Sequence, residues 1–288
     1  MKFTVFTPTF NRAGFLPRLF QSLQNQLFND FEWIIVDDGS TDNTNQVVQE
    51  FIDTNPSFNI SYYIQSNLGK HIAINKGVSV AKGELFFIVD SDDFISENAL
   101  STIDIEWQMI SDNKAFAGIV PNRCYIGGKS IGNPNYDRLD CSPYEFRYNL
   151  NEEGDKAEVI RTSVFKMYPF PETYNEKFCP EALFFNRIID YKLRYINRDL
   201  YYCEYLPDGL TSRIFEIRKE SPINTCLCYM EMANLKVGFK MKLKACINYY
   251  RFKRYTEAFI DKPSLQWYNL VLAKMLAEML FLFKDKRN

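Results

Sequence analysis

Residues 32–44 read Glu-Trp-Ile-Ile-Val-Asp-Asp-Gly-Ser-Thr-Asp-Asn-Thr. From Trp33 to Val36 the apolar residues do not alternate with polar ones, so both faces of the segment need cover, as in a parallel strand between helix layers. At Asp37 the chain turns polar, and Gly39, Ser40 and Thr41 are turn and cap residues. The same two-part pattern recurs on either side. Lys2–Phe6 (KFTVF) runs into Thr7-Pro8-Thr9-Phe10-Asn11-Arg12, Ile60–Ile64 (ISYYI) into Gln65-Ser66-Asn67-Leu68-Gly69-Lys70, and Leu85–Val89 (LFFIV) into Asp90-Ser91-Asp92-Asp93. Helical spacing fills the intervals at Phe15–Gln24, Asn43–Phe51 and His71–Ala81. The alternation predicts an α/β fold, a mostly parallel sheet flanked by helices. In such a sheet the strand ends share one edge, where ligands bind at the topological switch point.

The regularity fades after about residue 110. Residues 120–150 are rich in Gly, Pro and Tyr, the block Gly154–Arg187 contains the turn Tyr168-Pro169-Phe170-Pro171, Glu181–Asp190 has helical spacing, and the chain beyond Arg213 reads as helices. We expect three segments, 1–110, 111–214 and a helical C-terminal region at 215–288. The 288 residues are 46% hydrophobic and 24% charged, ample for a sizeable core and unlike a disordered chain. A net charge of −2 gives no case for nucleic acid. Seven cysteines without a C-x-x-C pair fit a reducing compartment better than a disulfide framework, and Cys226, Cys228 and Cys246 read as core thiols. The start is too polar for a signal peptide, and no run of 18 apolar residues occurs, so the expectation is a cytoplasmic protein.

The chemistry of the strand edge follows from its carboxylates. Neither G-x-G-x-x-G nor G-x-x-x-x-G-K-[ST] follows the first strand, which disfavours dinucleotide and P-loop sites. Asp side chains crowded at a buried strand end repel one another and call for a compensating cation. Mg²⁺ or Mn²⁺, bridging one or two carboxylates to phosphate oxygens, suits that need, so the edge fits a metal-chelated nucleotide diphosphate. Taken one at a time, Asp38–Asp42 also reads as a turn and helix cap, and Asp90–Asp93 as a solvated loop.

At these residues the chain resembles the family 2 glycosyltransferases. The motifs are FTPTFNR (Phe6–Arg12), VDDGSTDNT (Val36–Thr44), NLGKHIAINKG (Asn67–Gly77) and VDSDD (Val89–Asp93), in family order over the first ~110 residues. The resemblance implies the Rossmann-like GT-A fold and an inverting transfer of sugar from a nucleotide-diphosphate donor to an acceptor hydroxyl, in bacterial polysaccharide or surface glycan synthesis. It places Thr7, Pro8, Thr9, Asn11, Arg12, Asp38, Lys70, Asn75, Asp90 and Ser91 at the donor, with Asp38 on the base and Lys70 near the base or phosphates. Asp90 and Asp92 would form the metal element, Asp92 foremost, with Asp93 leaving its register open. The catalytic base would be Glu181, in Cys-Pro-Glu-Ala where many relatives have a Glu-Asp pair; Asp155, Glu158 and Glu176 are the other carboxylates near it, and Glu181 also suits a helix-capping role. Tyr205–Ile214 (YLPDGLTSRI) resembles the loop that closes over the donor, with Arg213 as a further diphosphate contact. The acceptor, a saccharide or lipid-linked saccharide, would meet residues 110–215, with Tyr125, Tyr136 and Tyr144 available for stacking. A nucleotidyltransferase and an inactive nucleotide-sugar-binding scaffold are the alternatives.

The tail is electrostatically separate. Between Glu231 and Glu257 there is no acidic residue and there are seven basic ones, followed by the apolar stretch Leu265–Phe283. Peripheral membrane contact and homodimer formation through these helices are both open readings, as is simple core packing.

Overall fold

The computed structural model describes residues 1–150, 152, 154–204 and 213–285. It separates into two compact units, Met1–Pro169 with Ile188–Leu206, and Phe170–Arg187 with Pro207–Asn288.

The first unit is built on a nine-stranded sheet among the described residues, in the order β3-β2-β1-β4-β8-β6-β9-β5, with β7 also paired to β9. β1 (Phe3–Thr9), β2 (Phe31–Asp37), β3 (Asn59–Ile64) and β4 (Leu85–Ile88) form its parallel half. They stand where the unalternated apolar runs place them. β1 and β2 are buried along their whole length, and between these strands run α1 (Leu16–Gln24), α2 (Thr44–Asp53) and α3 (Lys70–Val80). Since β2 and β3 lie on one side of β1 and β4 on the other, the strand order reverses beside β1. The crevice of the fold therefore opens at the ends of β1 and β4.

β5 (Phe94–Ile95) and α4 (Ala99–Gln108) follow, and the rest of the sheet is mixed. β8 (Val159–Arg161) runs antiparallel between β4 and β6 (Phe116–Tyr125), and β9 (Lys192–Cys203) lies parallel to β6. β9 carries β7 (Arg138–Cys141) and β5 antiparallel on its other edge. α5 (Thr162–Met167) leaves β8 directly.

Packing explains the order. α1 buries Leu16, Leu19, Phe20 and Leu23, one helical stripe, and Phe20, Trp33 of β2 and Phe51 of α2 stack on one another as a three-ring cluster. Such ring pairs add about 1 kcal/mol each beyond the area they bury. α3 lies so close to β1 that a Cβ on Gly77 would sit 2.3 Å from the Phe6 ring, so only glycine fits there. Buried Glu32 is satisfied by the Thr4 hydroxyl at 2.7 Å and the Lys82 N–H at 2.8 Å, which tie β1, β2 and the entry to β4 together at the edge away from the crevice.

The second unit is helical: α6 (Ala182–Arg187), α7 (Ile214–Glu220), α8 (Pro222–Asn234), α9 (Phe239–Lys253) and α10 (Trp267–Leu280), with a π-helical turn at Phe281–Asp285. The segment carrying Glu181 thus clusters with the C-terminal helices. All seven cysteines are buried thiols; Cys226 of α8 packs with Tyr249 and Phe252 of α9. No helix among the described residues is long and apolar enough to cross a membrane.

Candidate active site

At the crevice the loops after β1, β2 and β3 are laced together by three side chains. The Asn11 side-chain oxygen accepts from the Thr41 N–H at 2.7 Å, and the Asn11 N–H donates to Ser40 Oγ at 2.8 Å. Asn11 adopts a left-handed backbone, φ 53°, a conformation asparagine tolerates better than most residues. Asp42 accepts from the Ala13 N–H at 3.1 Å and from the Thr44 N–H and hydroxyl at 3.1 and 2.6 Å. Burial pushes its carboxyl up, but these hydrogen bonds outweigh it and hold it below the usual range. Asp42 thus acts as a turn residue that leads into α2, whose N-cap position is Asn43.

Asp38 does something else. Its carboxylate accepts from Gln65 Nε2 at 2.7 Å and from the backbone N–H groups of Leu68 and Gly69, each at 2.8 Å. It fixes the β3–α3 turn, in which Gly69 has φ +99° immediately before α3 begins. Asp37 beside it accepts from the Ser40 N–H at 2.7 Å and the Tyr62 hydroxyl at 2.6 Å. Both acids after β2 are therefore committed to holding loops.

The turn set by Asp38 delivers Lys70 to the end of β4, where its Nζ lies 2.7 Å from Asp90 Oδ1. Arg123 of β6 approaches Asp90 and Asp93, each at 3.9 Å. Arg12 lies 4.0 Å from Asp92, and Arg18 of α1 donates to the Asp92 carbonyl oxygen. Tyr201 of β9, fully buried, donates its hydroxyl proton to Asp93 at 2.7 Å and accepts from the Asp90 N–H at 3.0 Å. The Arg123 guanidinium covers the Tyr201 ring at 4.4 Å and donates to the Lys156 carbonyl oxygen at 2.9 Å. This is a half-buried charge network anchored on buried Asp93 and Tyr201, and the reading of Asp90–Asp93 as a solvated loop does not hold.

The three aspartates differ in how they are compensated. Burial pulls Asp90 upward, yet Lys70 and Arg123 hold its carboxyl below the usual range. Asp92 is raised by burial and by the charge of Asp90, with Arg12 too distant to offset both. Asp93 is pushed up to about 7, chiefly by burial and then by Asp90. Among the described residues no three His, Cys, Asp or Glu side chains converge as a metal-holding group. A divalent ion here would complete its shell with phosphate oxygens and water, as Mg²⁺ commonly does. Asp92 is the candidate acid for such an ion, since it meets a cation only at long range, Arg12 at 4.0 Å, and its backbone is held by Arg18.

The other candidates are placed as follows. Thr7 is buried, and its hydroxyl accepts from the Trp33 indole at 2.9 Å. Pro8 is buried within β1, in register with Val36. Thr9, at the strand end, has a buried hydroxyl without a hydrogen-bond partner among the described residues. Ser91 is buried and Asn75 half-buried on α3. His71 is buried on the first turn of α3, and burial lowers its pKa to about 4. In the second unit Glu181 is exposed, one residue before α6. Glu176 is buried and accepts from the Ile223 and Asn224 N–H groups at 2.6 and 2.7 Å, capping α8. Asp155 is exposed and Glu158 half-buried. Tyr136 packs against Phe146, and Tyr144 against Tyr148. Of the loop Tyr205–Ile214, residues 205–212 lie outside the described residues.

Sequence reading missed Arg123 and Tyr201. The available signal was an arginine inside the otherwise buried run of β6, since a buried guanidinium needs a buried acid.

Solved structures share this architecture. Residues 1–349 of Staphylococcus aureus TarS, in complex with UDP-GlcNAc, align over 95% of this chain and 79% of that one, with a TM-score of 0.61 and 20% identity. The mannosyltransferase PcManGT from Pyrobaculum calidifontis, in complex with GDP-Man and Mn²⁺, aligns over 99% and 82%, with a TM-score of 0.56 and 17% identity. In sequence, the glycosyltransferase GlyG of Streptococcus pneumoniae is 32% identical over 130 residues, 45% of this chain and 41% of the relative. The GalNAc(5)-diNAcBac-PP-undecaprenol beta-1,3-glucosyltransferase of Campylobacter jejuni is 36% identical over 127 residues, 43% of this chain and 38% of the relative. The chain spans about two fifths of the length of these curated relatives. The family model for glycosyl transferase family 2 matches residues 4–168, more than half of the chain, and the chain belongs to that family.

Proposed function

We propose that this chain transfers a sugar from a nucleotide-diphosphate donor to the hydroxyl of a saccharide or lipid-linked saccharide, with inversion, in the synthesis of a bacterial glycan. The observation that carries the reading is the network of Asp90, Asp92 and Asp93 with Lys70, Arg12 and Arg123 at the strand-order reversal. Neighbours solved with UDP-GlcNAc and with GDP-Man support the donor class, and the name of the Campylobacter relative supports a lipid-linked acceptor. Family membership favours sugar transfer over nucleotidyl transfer.

The donor's diphosphate is a mobile anion that Lys70 and Arg12 can meet at the crevice edge. Asp92, with Asp90 beside it, would hold Mg²⁺ or Mn²⁺, which when bound supplies Lewis-acid neutralisation of the leaving diphosphate. Tyr201 and Arg123 fix the angle of the Asp90–Asp93 turn, so that the carboxylates are oriented before the donor arrives. Glu181 is the proposed base: it takes the acceptor's proton as that oxygen attacks the anomeric carbon and the sugar–phosphate bond breaks. One such displacement inverts the centre.

The test is a thermal-shift panel of UDP, GDP, TDP and CDP and their common sugar conjugates, each with Mn²⁺, Mg²⁺ or EDTA. One base should stabilise the chain by about 2–3 kcal/mol at a hundredfold excess over its dissociation constant. Donor turnover with that base should fall at least a hundredfold in Glu181→Gln. Binding without turnover under any metal or acceptor condition would leave the inactive scaffold as the reading; no binding of any nucleotide would overturn both.

A further inference from the structure

α10 differs from the other helices in what it leaves uncovered. Ala273 and Ala277 are its only fully buried residues. With Leu270 they lie on the narrow stripe facing α9, where Ala273 packs with Ala245 and Cys246. At 100° per residue the opposite side is an arc of about 180°. Continued through the following π-helical turn, it carries Tyr268, Leu272, Met275, Met279, Leu282 and Phe283, each between 43% and 65% exposed. Trp267 stands at its start, 76% exposed. One charged side chain, Glu278, lies toward one side of the arc and pairs with Arg254 of α9 at 2.8 Å, and Lys274 lies just outside it.

The width of the arc and its low charge bear on what covers this face. A partner helix would meet a narrow seam flanked by charges that set register and orientation. Here Val271 and Leu276 toward the two sides are apolar, and Glu278 beside Val271 is already engaged by Arg254 of α9. A hydrocarbon layer needs no register and accommodates a wide apolar arc, with Trp and Tyr favoured at its boundary. Charge points the same way. Arg251 and Arg254 are engaged with Asp285 and Glu278, whereas Lys236, Lys240, Lys242 and Lys244 form no ion pair among the described residues. No acidic residue lies between Glu231 and Glu257 to balance them. At about 21 Å, α10 is too short to span a bilayer but long enough to lie in its surface.

We infer that the helical unit docks on an anionic lipid bilayer, with α10 seated at the boundary of headgroups and acyl chains and the unpaired lysines of α9 attracted to the headgroup charge. The inference is independent of the donor chemistry.

It is tested by co-sedimentation of the full chain with vesicles of phosphatidylcholine, alone or mixed with phosphatidylglycerol, at low and high salt. The chain should bind the mixed vesicles at least about tenfold more tightly, with the preference falling as salt rises. The pair Leu272→Glu and Met279→Glu should lose binding to both vesicle types. The pair Lys240→Glu and Lys244→Glu should lose only the preference for the anionic ones. All four positions are exposed or flank exposed helix surface, and unchanged circular dichroism and melting temperature verify folding. Absence of vesicle binding, or binding indifferent to both pairs, overturns the inference. So does a dimer in light scattering that the Leu272/Met279 pair converts to monomer while vesicles bind neither form, because a second copy would then cover the face.

Discussion

Val36–Ser40 and Val89–Asp93 place similar acidic runs at the ends of β2 and β4, the two strands flanking β1. After β2 the carboxylates accept from backbone N–H groups, an amide and a tyrosine hydroxyl, all fixed in the fold. After β4 Asp90 and Asp92 face the side chains of Lys70, Arg12 and Arg123, while Asp93 is braced by the buried Tyr201 hydroxyl. A carboxylate that accepts from backbone is architecture, because its partners cannot leave without unfolding a turn. A carboxylate among long cationic side chains can exchange those partners for a ligand without moving the backbone. The two loops also cooperate, since the turn gripped by Asp38 presents Lys70 to Asp90.

Substitution should separate the two roles. Asp92→Asn is expected to lower donor turnover by about a thousandfold, roughly 4 kcal/mol of transition-state stabilisation. The melting temperature should stay level or rise, because the carboxyl is raised by burial and by Asp90 and its charge disfavours the folded state at neutral pH. Turnover is read with the nucleotide found in the thermal-shift panel. A large loss of stability in this variant would place Asp92 with the braces.

Asp38→Ala should show the opposite profile. It strands three donors, two of them backbone N–H groups, and should cost about 3 kcal/mol in denaturant unfolding. Transfer should weaken through misplacement of Lys70, and the weakening should track loss of the fold on heating. Retention of full stability would mean that the turn is held by other contacts, and the contrast between the loops would fail.

The parallel half of the sheet was legible because strands covered on both faces spell themselves as unbroken apolar runs. Boundaries moved by one to three residues: β1 continues to Thr9, since Thr7 and Thr9 lie in the strand and Thr7 caps the Trp33 indole. The positions of Asp38 and Asp90 at the crevice were also legible, but their division of labour was not. Asp38 meets partners some thirty residues on in a turn, and Asp90 meets Arg123 and Tyr201 from strands in the mixed half, where short strands and long connections carry little periodic signal. Glu176 stood only as another carboxylate near Glu181, because the pattern did not reveal that α8 starts at Pro222 with N–H groups needing an acceptor.

Acid offers a graded probe of the brace. His71 follows Lys70 on the first turn of α3, and burial lowers its pKa to about 4. Between roughly pH 6.5 and 4 the unfolded chain takes up a proton that the folded chain does not, so stability falls as pH drops through that window. The effect approaches about 3 kcal/mol at its lower end. Unfolding curves at a series of pH values should show this slope and a flatter one in His71→Gln. If the slope is the same in both, other groups set the acid sensitivity and α3 is not its weak point.

The smallest effect should come from the helical unit, where the same contrast recurs in one pair of glutamates. Glu176 behaves like Asp38: it is buried, and both oxygens are taken by the N–H groups of Ile223 and Asn224 at the start of α8. Burial raises its pKa while the two hydrogen bonds pull it back, so the charged form gains less than it would at an open helix end. Glu176→Gln keeps one acceptor and the shape, and should cost about 1 kcal/mol with transfer unaffected. Glu181, exposed before α6, should show the reverse: stability intact and transfer lost in the matching Gln variant. If Glu176→Gln abolished transfer at full stability, the capping carboxylate would be the base, and the rule drawn from the two acidic loops would not extend to this unit.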